Sequence, residues 1–299
     1  MEKKRMFFIY NPQSGKGLIR VHLVDILDVF VKAGYEVTVY PTQGKGDATR
    51  VVAACADEFD RIVCSGGDGT LDEVVTGMMQ SDSLTPVGYI PAGTTNDFAQ
   101  SLSIPSNMEE SAAIAANGRL FPCDVGEFND DAFIYVAACG IFTGASYQTN
   151  QKLKHILGHA AYVIEGAKQL TDIPSSSYFL EIQANGETVR GEFVYGMISN
   201  SLSVGGVKNL VGKDVELDDG LFEVKFIRMP QNPLQINEIM THLLRPRACD
   251  TPYIFSCKTD RVEIHSEIPV PWTLDGEFGG EHKDVRIVNH CRRISFVVQ

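Results

Sequence analysis

Asp68 stands in Gly66-Gly67-Asp68-Gly69-Thr70-Leu71-Asp72-Glu73, where an apolar run over 61–64 passes into a helical pattern. Three glycines in four positions permit close approach of the backbone to a ligand and left-handed φ values. The helix start offers unpaired N–H groups and a positive dipole end, which suit phosphate. A carboxylate beside phosphates repels them unless a cation lies between, so Asp68 in this place implies Mg²⁺. The plainer alternative is a strand-to-helix turn in which Asp68 caps a helix beginning at Leu71.

Two more loops have the same character. Asn11-Pro12-Gln13-Ser14-Gly15-Lys16-Gly17 follows an apolar run over 7–10. It is not a P-loop, because the GxxxxGK[ST] spacing is absent. Pro91-Ala92-Gly93-Thr94-Thr95-Asn96-Asp97 follows a run over 87–90, with Thr95 or Asn96 as candidate N-cap. Ligands of open α/β sheets bind outside the carboxyl ends of the strands, so three such loops are expected to converge there.

A second constellation is Asp275-Gly276-Glu277, after Trp272-Thr273-Leu274. In extended backbone, positions i and i+2 face one side, which would put both carboxylates on one surface. Transfer of a phosphoryl group to an alcohol needs a base for the hydroxyl proton. The alternative is an Asp-Gly hairpin turn with solvated acids.

The elements that must position these groups alternate over the first 120 or so residues: strands at 7–10, 35–40, 61–64 and 87–90, with helical patterns between them. That order reads as an α/β layer on a mostly parallel sheet. From about 121 onward, short alternating runs dominate. Leu180, Ile182 and Ala184 precede Asn185-Gly186, a hairpin turn, and Phe222, Val224 and Phe226 alternate with Glu223 and Lys225. This half reads as an antiparallel β-sandwich with helical insertions at about 147–170 and 232–243. The last strand, 293–298, can pair in either half.

The chain has 299 residues, 26 basic and 38 acidic side chains and a net charge of −12, which argues against non-specific nucleic-acid binding. A local phosphate site is still allowed, because a metal ion can carry the attraction. Seven scattered cysteines without a CxxC pair read as reduced thiols. No stretch reads as a signal peptide or a membrane-spanning helix, so the expected location is cytoplasmic.

Residues 11–15 (NPxSG), 66–70 (GGDGT) and 91–99 (PAGTTNDFA), followed by a β-rich half, resemble the bacterial diacylglycerol kinase and lipid kinase family. That family shares its catalytic region with diacylglycerol, sphingosine and ceramide kinases and is more distantly similar to NAD kinases and phosphofructokinases. The resemblance covers essentially the whole chain. It implies a three-layer α/β nucleotide-binding domain over 1–122, completed by 291–299 if the last strand returns. It implies a β-sandwich domain over 123–290 that carries the acceptor site and the base. ATP, the phosphoryl donor, would lie across Asn11 to Gly15, Thr42, Gly67 to Glu73 and Thr94. Asp97 would share a water and metal network with Asp68. Glu277 would accept the proton and Asp275 orient the hydroxyl or the metal, with the two roles exchangeable.

By the same resemblance, Glu216-Leu217-Asp218-Asp219-Gly220-Leu221 matches a structural Mg²⁺ loop. Asp219 would give a carboxylate, and Glu216 and Leu221 main-chain oxygens. Asp-Asp-Gly equally favours a plain β-turn. Asp72 departs from the family's usual Asn. Asn200 with Gly205-Gly206 would line the interdomain cleft. The insertion over 147–170, with Lys152, Lys154, His155, His159 and Lys168 among apolar residues, suits an anionic membrane surface, which Lys16 and Arg20 would join, and equally a helix packing its apolar face on its own protein. The implied acceptor is a membrane lipid, diacylglycerol first, met at the inner membrane face. Other lipids, NAD as acceptor, a non-catalytic nucleotide sensor and a homodimer are left open.

Overall fold

The computed structural model describes residues 3–93, 96–140, 177–202, 215–244 and 251–299, with the backbone alone for Lys16 and Leu244. The chain divides into two units: Met1–Val125 with Asp131–Ile134 and His290–Gln299, and Gly126–Asp130 with Tyr135–Asn289.

The first unit is an α/β layer. Its strands are β1 (Lys4–Tyr10), β2 (Tyr35–Pro41), β3 (Arg61–Gly66) and β4 (Val87–Pro91). All pair in parallel, in the order β2-β1-β3-β4. The long strand β13 (Glu277–Val298) adds its last residues beside β4, again in parallel, with Phe296 opposite Val87. Residues of β5 (Arg119–Phe128) pair with β13 and with β6 (Asp131–Phe133).

The helices are α1 (Ile19–Lys32), α2 (Asp47–Cys55), α3 (Asp68–Gln80), α4 (Asp97–Ser101) and α5 (Met108–Asn117). Alternation along β1 sends Met6 and Phe8 to one face, where Ile19, Ile26 and Phe30 of α1 and Met108, Ala112 and Ala115 of α5 cover them. Phe7 points the other way and stacks on Phe59. On that face α2 and α3 pack together, closely enough that a Cβ on Gly77 would lie 2.7 Å from the Thr49 carbonyl oxygen.

The second unit is antiparallel. Its strands are β7 (Val136–Gly140), β8 (Tyr178–Ala184), β9 (Glu187–Ser199), β10 (Phe222–Arg228), β11 (Ile254–Thr259), β12 (Arg261–Leu274) and the start of β13. The order is β11-β10-β9-β7-β12-β13, and β8 pairs with both β9 and β12. Two long strands make this possible. Residues 187–193 of β9 face β8, while 195–199 face β7. Residues 262–265 of β12 face β8 and 272–274 face β7, and the β12–β13 register shifts between His265 and Val270. Pro269 and Pro271 fall in and beside that break, where the missing N–H groups are tolerated. Asn185 and Gly186 both have positive φ, as the β8–β9 hairpin turn requires.

Glu223 and Lys225, which alternate with Phe222, Val224 and Phe226, are only 5% and 8% exposed. β10 is flanked by β9 and β11 and covered on both faces, so period-two patterning misplaces them. The helix Pro233–Leu244 packs Ile239 and Leu243 on Val194, Ile227 and Ile254. Cysteines 55, 64, 123, 139, 257 and 291 are all free thiols.

Candidate active site

The three glycine-bearing loops of the first unit meet. Asn11 N–H donates to the Ser65 carbonyl at 2.9 Å, Thr42 N–H to Tyr10 at 2.9 Å and Ala92 N–H to Gly66 at 2.7 Å, continuing the parallel ladder past the strand ends. The Asn11 amide also donates to Thr70 Oγ1 at 3.4 Å, and its oxygen accepts the Gln13 N–H. Gly15 has φ +53°, and a Cβ there would lie 1.8 Å from the Ala92 oxygen. The approach between loops is therefore backbone against backbone, which only glycine allows.

The glycines of 66–69 act differently from the sequence expectation. None of Gly66, Gly67 and Gly69 has a positive φ. Gly66 is needed sterically, because a Cβ would meet the Thr70 side chain at 2.4 Å. Gly67 is extended and acts as the N-cap, its carbonyl accepting the N–H groups of Thr70 and Leu71. Helix α3 thus starts at Asp68 instead of Leu71, and Asp68 is its first residue. Leu71 lies wholly in the core, with its N–H already bonded to Gly67, so the structure does not present its side chain to a ligand. In the third loop Asn96 is left-handed, and its side-chain amide pairs with Gly93 through both N–H and C=O, each at 2.9 Å.

Asp68 is the electrostatic centre of this group. Its Oδ2 accepts the Asp97 N–H at 3.3 Å, while Oδ1 is buried without a hydrogen-bond partner. Burial first, and then the charge of Asp97, push its carboxyl up to about 6, against the pull of the Asp97, Phe98 and Asn96 N–H groups. A buried carboxylate with an orphaned oxygen beside a second acid fits a divalent cation. Asp97 itself is 4% exposed. Asp72 is half-buried. Glu73 faces another helix: its two carboxylate oxygens accept the Gly46 N–H at 2.7 Å and the Ala48 N–H at 3.1 Å, capping α2.

In the second unit, Asp275 and Gly276 form the hairpin turn between β12 and β13, with φ of 49° and 86° and Leu274 opposite Glu277. The expectation of two carboxylates on one extended face fails here, because a turn separates them. Glu277 is exposed and Asp275 is 4% exposed. The alternative of a solvated Asp-Gly turn is right about the backbone and wrong about Asp275. Its Oδ1 accepts the N–H groups of Tyr135 and Val136 at 3.0 and 2.9 Å.

Asn200 does not line an open surface. It is wholly buried, its N–H donating to the Tyr135 carbonyl and its amide to the Leu217 carbonyl. The acidic loop turns at Gly220, φ +80°, and Asp219 Oδ1 accepts the Leu221 N–H at 2.9 Å. Lys258 Nζ lies 3.5 Å from Asp219 Oδ2 and 3.1 Å from Glu223 Oε1. Burial pushes Glu223 up to about 7, and the Lys258 ammonium pulls it back. Glu216 is exposed.

Among the described residues, no three or more His, Cys, Asp or Glu side chains group closely enough to hold a metal ion. Mg²⁺ is commonly held by one or two carboxylates with phosphate oxygens, so Asp68 fits that manner of binding. At 216–221 the Asp219 carboxylate is shared with Lys258, and an ion there would also need main-chain oxygens. Thr94, Thr95, Gly205-Gly206 and the 147–170 insertion lie outside the described residues. Tyr135 and Lys258 were not signalled by the sequence, because their partners are far along the chain.

Two family models match, the diacylglycerol kinase catalytic domain over 5–128 and the YegS C-terminal NAD kinase β-sandwich-like domain over 136–292. A diacylglycerol kinase of Bacillus subtilis (strain 168) is 36% identical over 279 residues, 93% of this chain and 91% of the relative. One of Staphylococcus carnosus (strain TM300) is 34% identical over 280 residues, covering 93% and 90%. The crystal structure of a diacylglycerol kinase from Bacillus anthracis str. Sterne shares the fold, with a TM-score of 0.78 and 22% identity over 100% of this chain and 98% of that one. With both family models matched in order and relatives above 30% identity along most of its length, the chain belongs to the diacylglycerol kinase family of lipid kinases.

Proposed function

We propose that this kinase transfers the γ-phosphoryl group of ATP, with Mg²⁺, to the free hydroxyl of diacylglycerol, giving phosphatidic acid and ADP. The observation that carries the reading is Asp68: a buried carboxylate with an unpartnered oxygen where three glycine-bearing loops converge. The choice of diacylglycerol rests on the names of the curated relatives.

Backbone N–H groups of the loops at 11–15 and 67–70 would hold the phosphates, and Asp68 would hold the ion. The bound cation would neutralise charge on the transferring group. Glu277 would take the acceptor's proton as its oxygen bonds to phosphorus, and the bond from phosphorus to the bridging oxygen breaks to release ADP. Asp219, with main-chain oxygens of Glu216 and Leu221, is proposed to hold a second, structural Mg²⁺. We place the enzyme at the anionic inner face of the membrane, on the sequence pattern of 147–170. No helix among the described residues is long and apolar enough to cross a membrane.

The test is transfer from labelled ATP to a panel of lipids in mixed micelles, with products identified by mass spectrometry. Diacylglycerol should be phosphorylated, EDTA should abolish it, and Glu277→Gln should lower kcat by about 10²–10⁴-fold with an unchanged Tm. Preference for a sphingoid base, phosphatidylglycerol, undecaprenol or NAD would overturn the substrate assignment. Flotation with anionic but not zwitterionic vesicles checks the membrane contact.

A further inference from the structure

Asp275 is tied to one dipeptide by four hydrogen bonds. Its Oδ1 accepts Tyr135 N–H at 3.0 Å and Val136 N–H at 2.9 Å. Its own N–H donates to the Val136 carbonyl at 2.8 Å, and the Tyr135 hydroxyl donates to the Asp275 carbonyl at 3.1 Å. The dipeptide is itself held, because the Tyr135 carbonyl accepts the Asn200 N–H at 3.0 Å. The next residue is Gly276, with φ +86°, and then Glu277. Glycine leaves the backbone free to swing, so the anchor at Asp275 fixes where Glu277 emerges.

We propose that Asp275 is a positioning residue: it anchors the turn that presents Glu277 and touches neither hydroxyl nor phosphate. This rests on the reading of Glu277 as proton acceptor.

The experiment compares Asp275→Asn, Asp275→Ala and Glu277→Gln for kcat, for KM of ATP and of diacylglycerol, for pH–rate profile and for Tm. Asparagine keeps the acceptor oxygen and tolerates left-handed φ. Asp275→Asn should therefore retain kcat to within about tenfold, the loss expected when a charged acceptor becomes neutral, with a pH–rate profile of wild-type shape. Asp275→Ala strands two N–H groups and should lose about a hundredfold or more in kcat, with a lower Tm and an unchanged KM for ATP. A loss beyond tenfold in Asp275→Asn at wild-type Tm would overturn the proposal, since the charge itself would then be doing chemistry. If the alanine variant does not fold, the asparagine variant decides alone. Wild-type turnover in Glu277→Gln would instead remove the reading of Glu277, an outcome separate from the asparagine result.

Discussion

Gly67 and Gly93 meet backbone to backbone: a Cβ built on Gly93 would lie 2.6 Å from the Gly67 Cα and 2.7 Å from Asn96 Oδ1. One contact thus joins the loop that starts α3 to the loop that starts α4, and with them Asp68 to Asp97. Gly93→Ala should force the two loops apart at a cost of about 1–3 kcal/mol, the range for overpacking against an unyielding neighbour. Thermal unfolding with and without Mg²⁺ and ATP checks this. The substitution should lower Tm and shrink the upward shift that nucleotide gives.

Asp68→Asn separates stability from function. Burial disfavours the charge on Asp68, so removing it should leave the Tm of the metal-free protein equal or higher. Transfer should fall by at least about a hundredfold, as when a preorganised electrostatic group at a reacting centre is removed. Activity near wild type would remove Asp68 from the site.

Glu73→Ala should destabilise the first unit by about 0.5–2 kcal/mol, because it removes the carboxylate that caps the Gly46 and Ala48 N–H groups at the start of α2. The loss should be the same with and without nucleotide. A Tm that drops only in the presence of ATP would show that Glu73 contacts the ligand instead.

Phe296→Ala tests the end of the chain. Phe296 is fully buried and packs edge-on against Phe98 at 5.0 Å between ring centroids, one residue after Asp97. A loss of about 3–5 kcal/mol is expected from chemical denaturation, as for other buried Phe→Ala changes. Arg293→Ala, which removes a guanidinium bonded to the Ser83 carbonyl and to Asp82, should cost less.

The proposed ion at 216–221 predicts that EDTA lowers the wild-type Tm and that Asp219→Ala lowers it and removes the response to EDTA. An unchanged wild-type Tm would mean that Lys258, 3.5 Å from Asp219 Oδ2, suffices as the counter-charge.

What depends on neighbours along the chain was legible before folding. Period-two and period-3.6 patterns marked the α/β half and the β half. Asn185-Gly186 marked a hairpin turn, because a left-handed pair is a local requirement, while Asp275-Gly276 left the turn as an alternative to an extended face. The glycine-rich loops were legible as a cradle from their composition at strand ends, although Gly66, Gly67 and Gly69 serve there without left-handed φ. What depends on distant partners had to await the fold. It put Asp275 under the N–H groups of Tyr135 and Val136, and turned Glu73 to the start of α2. It buried Glu223 and Lys225 in a strand covered on both faces, and returned the chain's last ten residues to the first unit. Burial and hydrogen-bond partnership are properties of packed surfaces, and the residues that supply those surfaces lie tens to hundreds of positions away.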